Sequence, residues 1–214
     1  MHTRQILIYL ALAYFIFPIF LLHTVSAQDI IVEDIKVENI KAKSGKAYKV
    51  GDDGLNVGTV YYIDRTYVVT TMPKEMEGAT FIMTANDDKG SAGADFLIFT
   101  AKSPVLVWLA WDSRGDPVKG GQTPEWLSEE QGWVRHEDMI IEVTDTNMGF
   151  FLLWHKEFPG NEDIVLGGNA DPPAAGQGSM YLVLLTAGKK LAVRSSGKLA
   201  TQWSKLRSQI FSRE

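Results

Sequence analysis

The 214-residue chain contains no cysteine. This absence excludes a disulfide framework, a thiolate metal site and a cysteine nucleophile, so the fold must be stabilised by its hydrophobic core. Histidine is also scarce, because only His136 and His155 lie beyond the first 27 residues. Their spacing is not that of a zinc-binding pair on a helix, and the sequence therefore indicates neither a zinc centre nor a histidine-based triad.

Positive charge is scarce in the body of the chain. Residues 28–188 carry 25 acidic and 13 basic side chains, a net charge of −12, whereas residues 189–214 carry seven basic and one acidic, a net charge of +6. Nucleic-acid binding depends on clustered Lys and Arg, so the acidic body argues against it. The basic tail is typical of a solvated helix face, with contact to an anionic surface as the alternative.

The N-terminus has the features of a signal peptide. Arg4 precedes an apolar run at 6–22, and Val25, Ser26 and Ala27 provide small residues at alternate positions for signal peptidase. The run approaches the roughly 20 residues that a membrane-spanning helix needs, so an uncleaved anchor is the alternative. We predict cleavage after Ala27 and a secreted or cell-envelope location, periplasmic or extracellular.

The remainder of the chain alternates short β-prone runs with polar turns. This pattern predicts an antiparallel β-sandwich, and the tryptophans Trp108 and Trp154 are expected in its core. Nine runs are predicted to be strands: 59–63, 66–71, 80–84, 95–100, 105–111, 139–143, 150–155, 163–166 and 180–186. One short helical turn is predicted at 73–78, closed by its glycine.

The two end segments fall outside this pattern. Residues 28–58 form an N-terminal segment whose apolar stretch at 30–43 is either an edge strand or a spacer, and the sandwich domain is predicted over 59–188. In the tail, four apolar side chains recur at steps of four, three and four, which predicts an amphipathic helix within 189–214. These residues are Leu199, Trp203, Leu206 and Ile210. The helix is expected to dock on the body, with a protein partner or a membrane surface as alternatives.

No catalytic constellation stands out in the sequence. Adjacent carboxylates occur at 52–53, 129–130 and 137–138 and could in principle serve glycoside hydrolysis, but adjacent residues in a strand point to opposite faces, which favours solvated surface groups. The Gly167-Gly168-Asn169 segment is not followed by a helix and therefore predicts a turn, not a phosphate loop. We expect a protein that is not an enzyme.

Seven short motifs carry a resemblance to a known class of module. In chain order they are Tyr62-Ile63-Asp64-Arg65, Ala85-Asn86-Asp87-Asp88-Lys89, the strand from Asp95, Trp111-Asp112-Ser113-Arg114, Pro124-Glu125-Trp126-Leu127, Leu166-Gly167-Gly168-Asn169 and Met180-Tyr181. Over residues 59–186 this order resembles the galactose-binding-like, jelly-roll β-sandwich modules appended to bacterial secreted carbohydrate-active enzymes. The resemblance implies a non-catalytic carbohydrate-binding protein. The alternative is a structural or protein-interaction β-sandwich of the cell envelope.

The residue types agree with a sugar-binding role. Aromatic faces pack on the C–H side of a sugar ring, while carboxylates, amides and Arg bond its hydroxyls. The candidate ligand-binding residues are Asp112, Arg114, Trp126 and Trp133. Asp112 and Arg114 would otherwise form a structural salt bridge, and Trp126 would otherwise plug one end of the sandwich.

A second candidate site is an oxygen-rich loop. Asn86, Asp87 and Asp88 could supply oxygen ligands to a structural calcium ion. Their spacing is not that of an EF-hand, and Asn and Asp also bond their own backbone in turns. A turn without metal is the expectation, with calcium as the alternative.

Overall fold

The computed structural model describes residues 35–176 and 178–188. The predicted signal peptide and the predicted C-terminal helix lie outside the described residues. Within those two ranges, no helix is long and apolar enough to cross a membrane.

The described chain is mainly β, with ten strands that pair antiparallel in two sheets. The strands are β1 (Val37–Ala42), β2 (Lys49–Val50), β3 (Val69–Thr71), β4 (Thr80–Met83), β5 (Leu97–Ala101), β6 (Val105–Asp112), β7 (Val134–Val143), β8 (Phe151–Phe158), β9 (Asp163–Leu166) and β10 (Leu182–Ala187). The small sheet has the order β1-β5-β9, and the large sheet has the order β2-β4-β10-β6-β8-β7-β3.

Both sheets contribute to one hydrophobic core. On the edge strand β9, Ile164 and Leu166 are buried while Asp163 and Val165 are exposed, which is the alternation of a strand with one covered face. In the large sheet, β6 and β10 are buried at almost every position because they have neighbours on both edges and cover on both faces. Each fully buried large side chain in such a core contributes about 1.5 to 3 kcal/mol through removal of apolar surface from water.

Most of the predicted strands correspond to strands of the structure, and Trp108 and Trp154 are confirmed as core residues, exposed by 7% and 3%. The run at 59–63 differs, since it makes only isolated bridges through Val60 and Tyr62. Tyr61 and Tyr62 are both fully buried, whereas neighbouring residues of a regular strand face opposite sides. This segment therefore crosses the core as an irregular stretch.

The described part of the segment before residue 59, from Ile35 onward, belongs to the same fold. β1 pairs with β5 at the edge of the small sheet, so the edge-strand alternative describes 37–42 and the spacer alternative does not. β2, which the sequence pattern did not indicate, pairs with β4. The described residues contain no α-helix but five short 3-10 helices, one of which (Lys74–Met76) lies within the turn predicted at 73–78.

Candidate functional site

A shallow cleft of about 390 Å³ opens between two loops that follow β6 and β9. It is lined by Ala94, Glu125, Trp126, Gln131, Asp171 and Pro172. The lining therefore combines one large aromatic ring with two carboxylates and one amide. Trp126 is partly buried, while Glu125 and Gln131 are exposed.

Trp126 is held in a defined orientation at the cleft. Its indole Nε1–H donates to the Gly168 carbonyl at 3.1 Å. Its ring packs edge-to-face on Trp111, Trp133 and Tyr181, with centroid distances of 6.5, 6.3 and 5.7 Å. These contacts orient the ring before any ligand arrives, so binding would require little further loss of side-chain entropy.

The loop that carries Trp126 is anchored on both sides of the ring. Leu127 is fully buried, and its N–H donates to the Pro124 carbonyl at 2.9 Å. The Glu125 N–H donates to the Pro172 carbonyl at 3.0 Å, which ties this loop to the opposite wall of the cleft. These hydrogen bonds thus fix the backbone position of Glu125, whose side chain is exposed.

Asp171 is the structural carboxylate of the cleft. Its Oδ1 accepts from the Gly93 N–H at 2.6 Å, and its Oδ2 accepts from the Gly168 N–H at 3.0 Å. Two backbone donors hold this carboxylate, and the bond from Gly93 joins the loop before β5 to the loop after β9. Glu125 and Gln131 are consequently the more adaptable polar groups of the lining.

The Asp112–Arg114 pair lies at the end of β6, outside the cleft lining. Asp112 is exposed by 1%, and its carboxylate accepts from the Arg114 backbone N–H at 3.0 Å and from the guanidinium. The hydrogen bond between the Arg114 guanidinium and the Asp112 carboxylate raises the pKa of Arg114. Arg114 stays accessible, with 42% of its side chain exposed, and its Nη2 reaches the Ser179 hydroxyl at 3.4 Å.

The structure changes the set of candidate ligand-binding residues. Trp126 lines the cleft, but Trp133 is exposed by only 3% and lies behind Trp126, where a ligand cannot reach its face. Asp112 is equally inaccessible, and its role is to neutralise Arg114 and to cap the short 3-10 helix Ser113–Gly115. Trp126 packs against core residues on one side and lines the cleft on the other, and its role in ligand binding stays a prediction.

Three polar lining residues were missed from the sequence, namely Glu125, Gln131 and Asp171. Glu125 lies inside the Pro124-Glu125-Trp126-Leu127 motif, and its position next to Trp126 in the sequence was the available signal. Asp171 comes two residues after the Gly167-Gly168-Asn169 turn. Its hydrogen bond to Gly93 spans 78 positions, so no pattern of neighbouring residues predicts this contact.

The side chains of the predicted calcium loop bond different protein partners. Asp87 pairs with Arg65, which lowers the pKa of that carboxyl. Asp88 is buried and accepts from Tyr48 at 2.8 Å, from Ser44 at 2.7 Å and from Lys46 at 2.9 Å.

Asn86 is also engaged, because its Oδ1 accepts from the Met180 N–H at 3.1 Å. The Asp64 carboxylate accepts from the Asn86 and Asp87 N–H groups at 2.8 and 2.9 Å, which closes the turn. No group of three or more His, Asp or Glu side chains that could hold a metal ion occurs in 35–176 and 178–188. Calcium binding stays an untested alternative.

Several motifs selected from the sequence converge at the start of β10. The Tyr62 hydroxyl donates to the Met180 carbonyl, and the Thr84 hydroxyl donates to the Tyr181 carbonyl at 2.9 Å. The Tyr181 hydroxyl in turn donates to the Gly167 carbonyl at 3.0 Å, next to the carbonyl that binds Trp126. These motifs therefore hold the cleft loops in place.

Comparison with known proteins shows what this chain is similar to. No protein-family model matches the chain, and no curated protein sequence matches it. Among solved structures, a β-glucuronidase from glycoside hydrolase family 2 superposes with a TM-score of 0.58 at 20% identity, over 70% of this chain and 14% of that enzyme. A glycoside hydrolase family 138 enzyme targeting pectin rhamnogalacturonan II gives a TM-score of 0.41 at 15% identity, over 74% of this chain and 18% of that enzyme.

The first of these likenesses shows the fold. The chain has the fold of a β module found within a carbohydrate-active enzyme, and it spans about one seventh of that enzyme's length. The chain is therefore a mainly β protein with two antiparallel sheets, and it shares this fold with part of a β-glucuronidase.

Proposed function

We propose that this protein is a secreted or cell-envelope carbohydrate-binding module of the galactose-binding-like β-sandwich class, and that it binds without catalysis. The observation that carries the proposal is the cleft beside Trp126, where an oriented indole ring lies next to the exposed polar side chains of Glu125 and Gln131. The fold shared with part of a β-glucuronidase supports the association with carbohydrate-active proteins.

Each lining group has a role in this proposal. The accessible part of the Trp126 ring packs on the C–H face of a sugar, and burial of about 100 Å² of apolar surface contributes roughly 2.5 kcal/mol before entropy losses. The Glu125 carboxylate accepts hydrogen bonds from sugar hydroxyls. The Gln131 amide can both donate and accept, so it suits a hydroxyl in either role.

The arrangement of the carboxylates supports binding over hydrolysis. Glycoside hydrolysis uses two carboxyl groups, one of which gives up or accepts a proton while the other acts as a base or nucleophile. In the cleft, both oxygens of Asp171 are already engaged by backbone N–H groups. We therefore assign Asp171 to positioning of the loops and Glu125 to ligand contact.

The proposal is tested with a glycan array followed by calorimetry on the glycan that binds. Trp126→Ala and Glu125→Ala should each weaken binding by about tenfold or more, since loss of one good contact is worth about 1.4 kcal/mol. Glu129→Ala is the matched control, because Glu129 is exposed in the same loop but does not line the cleft. Absence of any glycan ligand, or equal affinity for all three variants, would contradict the proposal and leave the protein-interaction alternative.

A further inference from the structure

The two histidines beyond the N-terminal region meet on the large sheet. His136 lies on β7 and His155 on the neighbouring strand β8, and the His136 Nε2 is 2.6 Å from the His155 Nδ1. Both side chains are partly exposed. Neither lines the Trp126 cleft, and the proposed sugar binding makes no use of them.

Trp108 forms a fixed platform beneath both imidazole rings. Its centroid lies 5.1 Å from that of His136 and 4.8 Å from that of His155. The indole Nε1–H donates to the Thr186 hydroxyl at 2.9 Å, which fixes the ring on the sheet. The pair is thus built on a rigid scaffold, as a binding site requires.

The hydrogen bond between the rings restricts their protonation. One facing nitrogen donates a proton and the other accepts it, so the two rings cannot both be doubly protonated in this arrangement. Burial lowers the pKa of His136, and burial together with the neighbouring His136 lowers the pKa of His155. Both rings are therefore neutral near pH 7, the form in which imidazole binds metal.

We propose that His136 Nε2 and His155 Nδ1 form a two-nitrogen binding site for a divalent transition-metal ion. Imidazole nitrogen suits Cu²⁺, Ni²⁺ and Zn²⁺, and among these ions Cu²⁺ binds nitrogen sites most tightly. Because the described residues offer no third His, Asp or Glu already in place, water completes the coordination. Glu157 lies two residues after His155 on β8, and its negative charge favours a cation at this position.

Binding of the ion requires a change in this hydrogen-bonded geometry. Metal–nitrogen bonds of about 2.0 to 2.1 Å place two adjacent ligand nitrogens about 3 Å apart, so the facing nitrogens, now 2.6 Å apart, must separate by about 0.5 Å. Both imidazole rings must also turn, so that their nitrogen lone pairs point at the ion and not at each other. The histidine that donates the present hydrogen bond moves its proton to its other ring nitrogen. No proton is lost overall, because each ring remains neutral with one N–H.

Copper titration of the untagged full chain tests the site directly. We expect a Cu²⁺ electron paramagnetic resonance spectrum with hyperfine coupling to two imidazole nitrogens, together with quenching of Trp108 fluorescence. His136→Gln and His155→Gln should each weaken Cu²⁺ binding by about tenfold or more, because removal of one of two nitrogen ligands abolishes chelation. Trp108→Phe is the control, since it should remove the quenching and keep the two-nitrogen spectrum.

Two results would overturn the site. One is a spectrum without two-imidazole coupling from folded wild-type protein, a result that needs no variant. The other is unchanged copper affinity in His136→Gln and His155→Gln proteins whose circular dichroism matches that of the wild type. Neither result bears on sugar binding at Trp126.

Discussion

The indole ring of Trp126 lies directly against the backbone of Gly167. A Cβ placed on Gly167 would be 2.3 Å from two ring atoms of Trp126, and the next residue, Gly168, accepts the indole N–H. Glycine at position 167 is therefore required by the space that Trp126 occupies. The turn after β9 shapes the cleft by leaving room for this ring.

This relationship predicts the effect of Gly167→Ala. The added methyl group cannot fit while Trp126 keeps its position, so the ring must move and lose its hydrogen bond to Gly168. Overpacking of this kind destabilises by about 1 to 3 kcal/mol, which chemical denaturation measures. Gly90→Ala is the control, because nothing lies within 4 Å of the position of its Cβ. Equal free energies of unfolding for the two variants would show that the Trp126 ring can move without loss of stability.

A second prediction concerns the buried ion pair between Asp116 and Arg135. Asp116 is exposed by 1%, and its carboxylate accepts two hydrogen bonds from the Arg135 guanidinium at 3.1 and 2.8 Å. Arg135→Ala leaves this carboxylate buried without its countercharge and should destabilise by about 3 to 5 kcal/mol.

Glu137→Gln provides the comparison for that experiment. Glu137 is the exposed partner of Arg135, and loss of an exposed ion pair is worth about 1 kcal/mol or less. Thermal or urea unfolding of both variants separates the two contributions. A small effect of Arg135→Ala would mean that water reaches Asp116.

The histidine pair predicts a pH dependence of stability. Because burial depresses the pKa of both rings below the usual 6.5, the unfolded chain binds more protons than the folded chain once the pH falls below that value. The stabilisation is complete above pH 6.5 and is lost as the pH falls through the lowered folded pKa values.

The double variant His136→Gln/His155→Gln isolates this contribution. Between about pH 5.5 and 7.5, where histidine is the side chain that titrates, the wild type should lose stability on acidification more steeply than the variant. Urea unfolding at several pH values measures the difference. Parallel curves would show that the pair titrates normally in the folded protein.

The predicted export signal leads to a test of processing. Cleavage after Ala27 should give a mature protein that begins at Gln28, and intact-mass measurement on protein from the native export route would show this mass. Full-length chain in the membrane fraction would instead identify residues 6–22 as an anchor.

The strands were largely predictable because their signal is local. The alternation in β9 and the apolar run of β6 reflect which faces of each strand are covered. Both patterns occur in consecutive residues, where they can be recognised in the sequence. The 59–63 run was misread because Tyr61 and Tyr62 are both buried, a packing that depends on loops distant in the chain.

The candidate site depends on contacts that the sequence does not display. Trp133 and Trp126 are similar in sequence context, yet the packing of one ring behind the other decides which is accessible. His136 and His155 meet because β7 pairs with β8 so that Val134 lies opposite His155, a register that the sequence does not show.

Trp126 is proposed as the surface that meets the sugar, and NMR of the indole N–H signals tests this contact most directly. The chain has six tryptophans, and Trp126→Phe identifies the signal of this ring by its loss. On titration with the glycan that the array selects, the Trp126 signal should shift to saturation, while the signal of Trp154, which is exposed by 3%, should stay in place. A glycan that binds without moving the Trp126 signal would contradict the account.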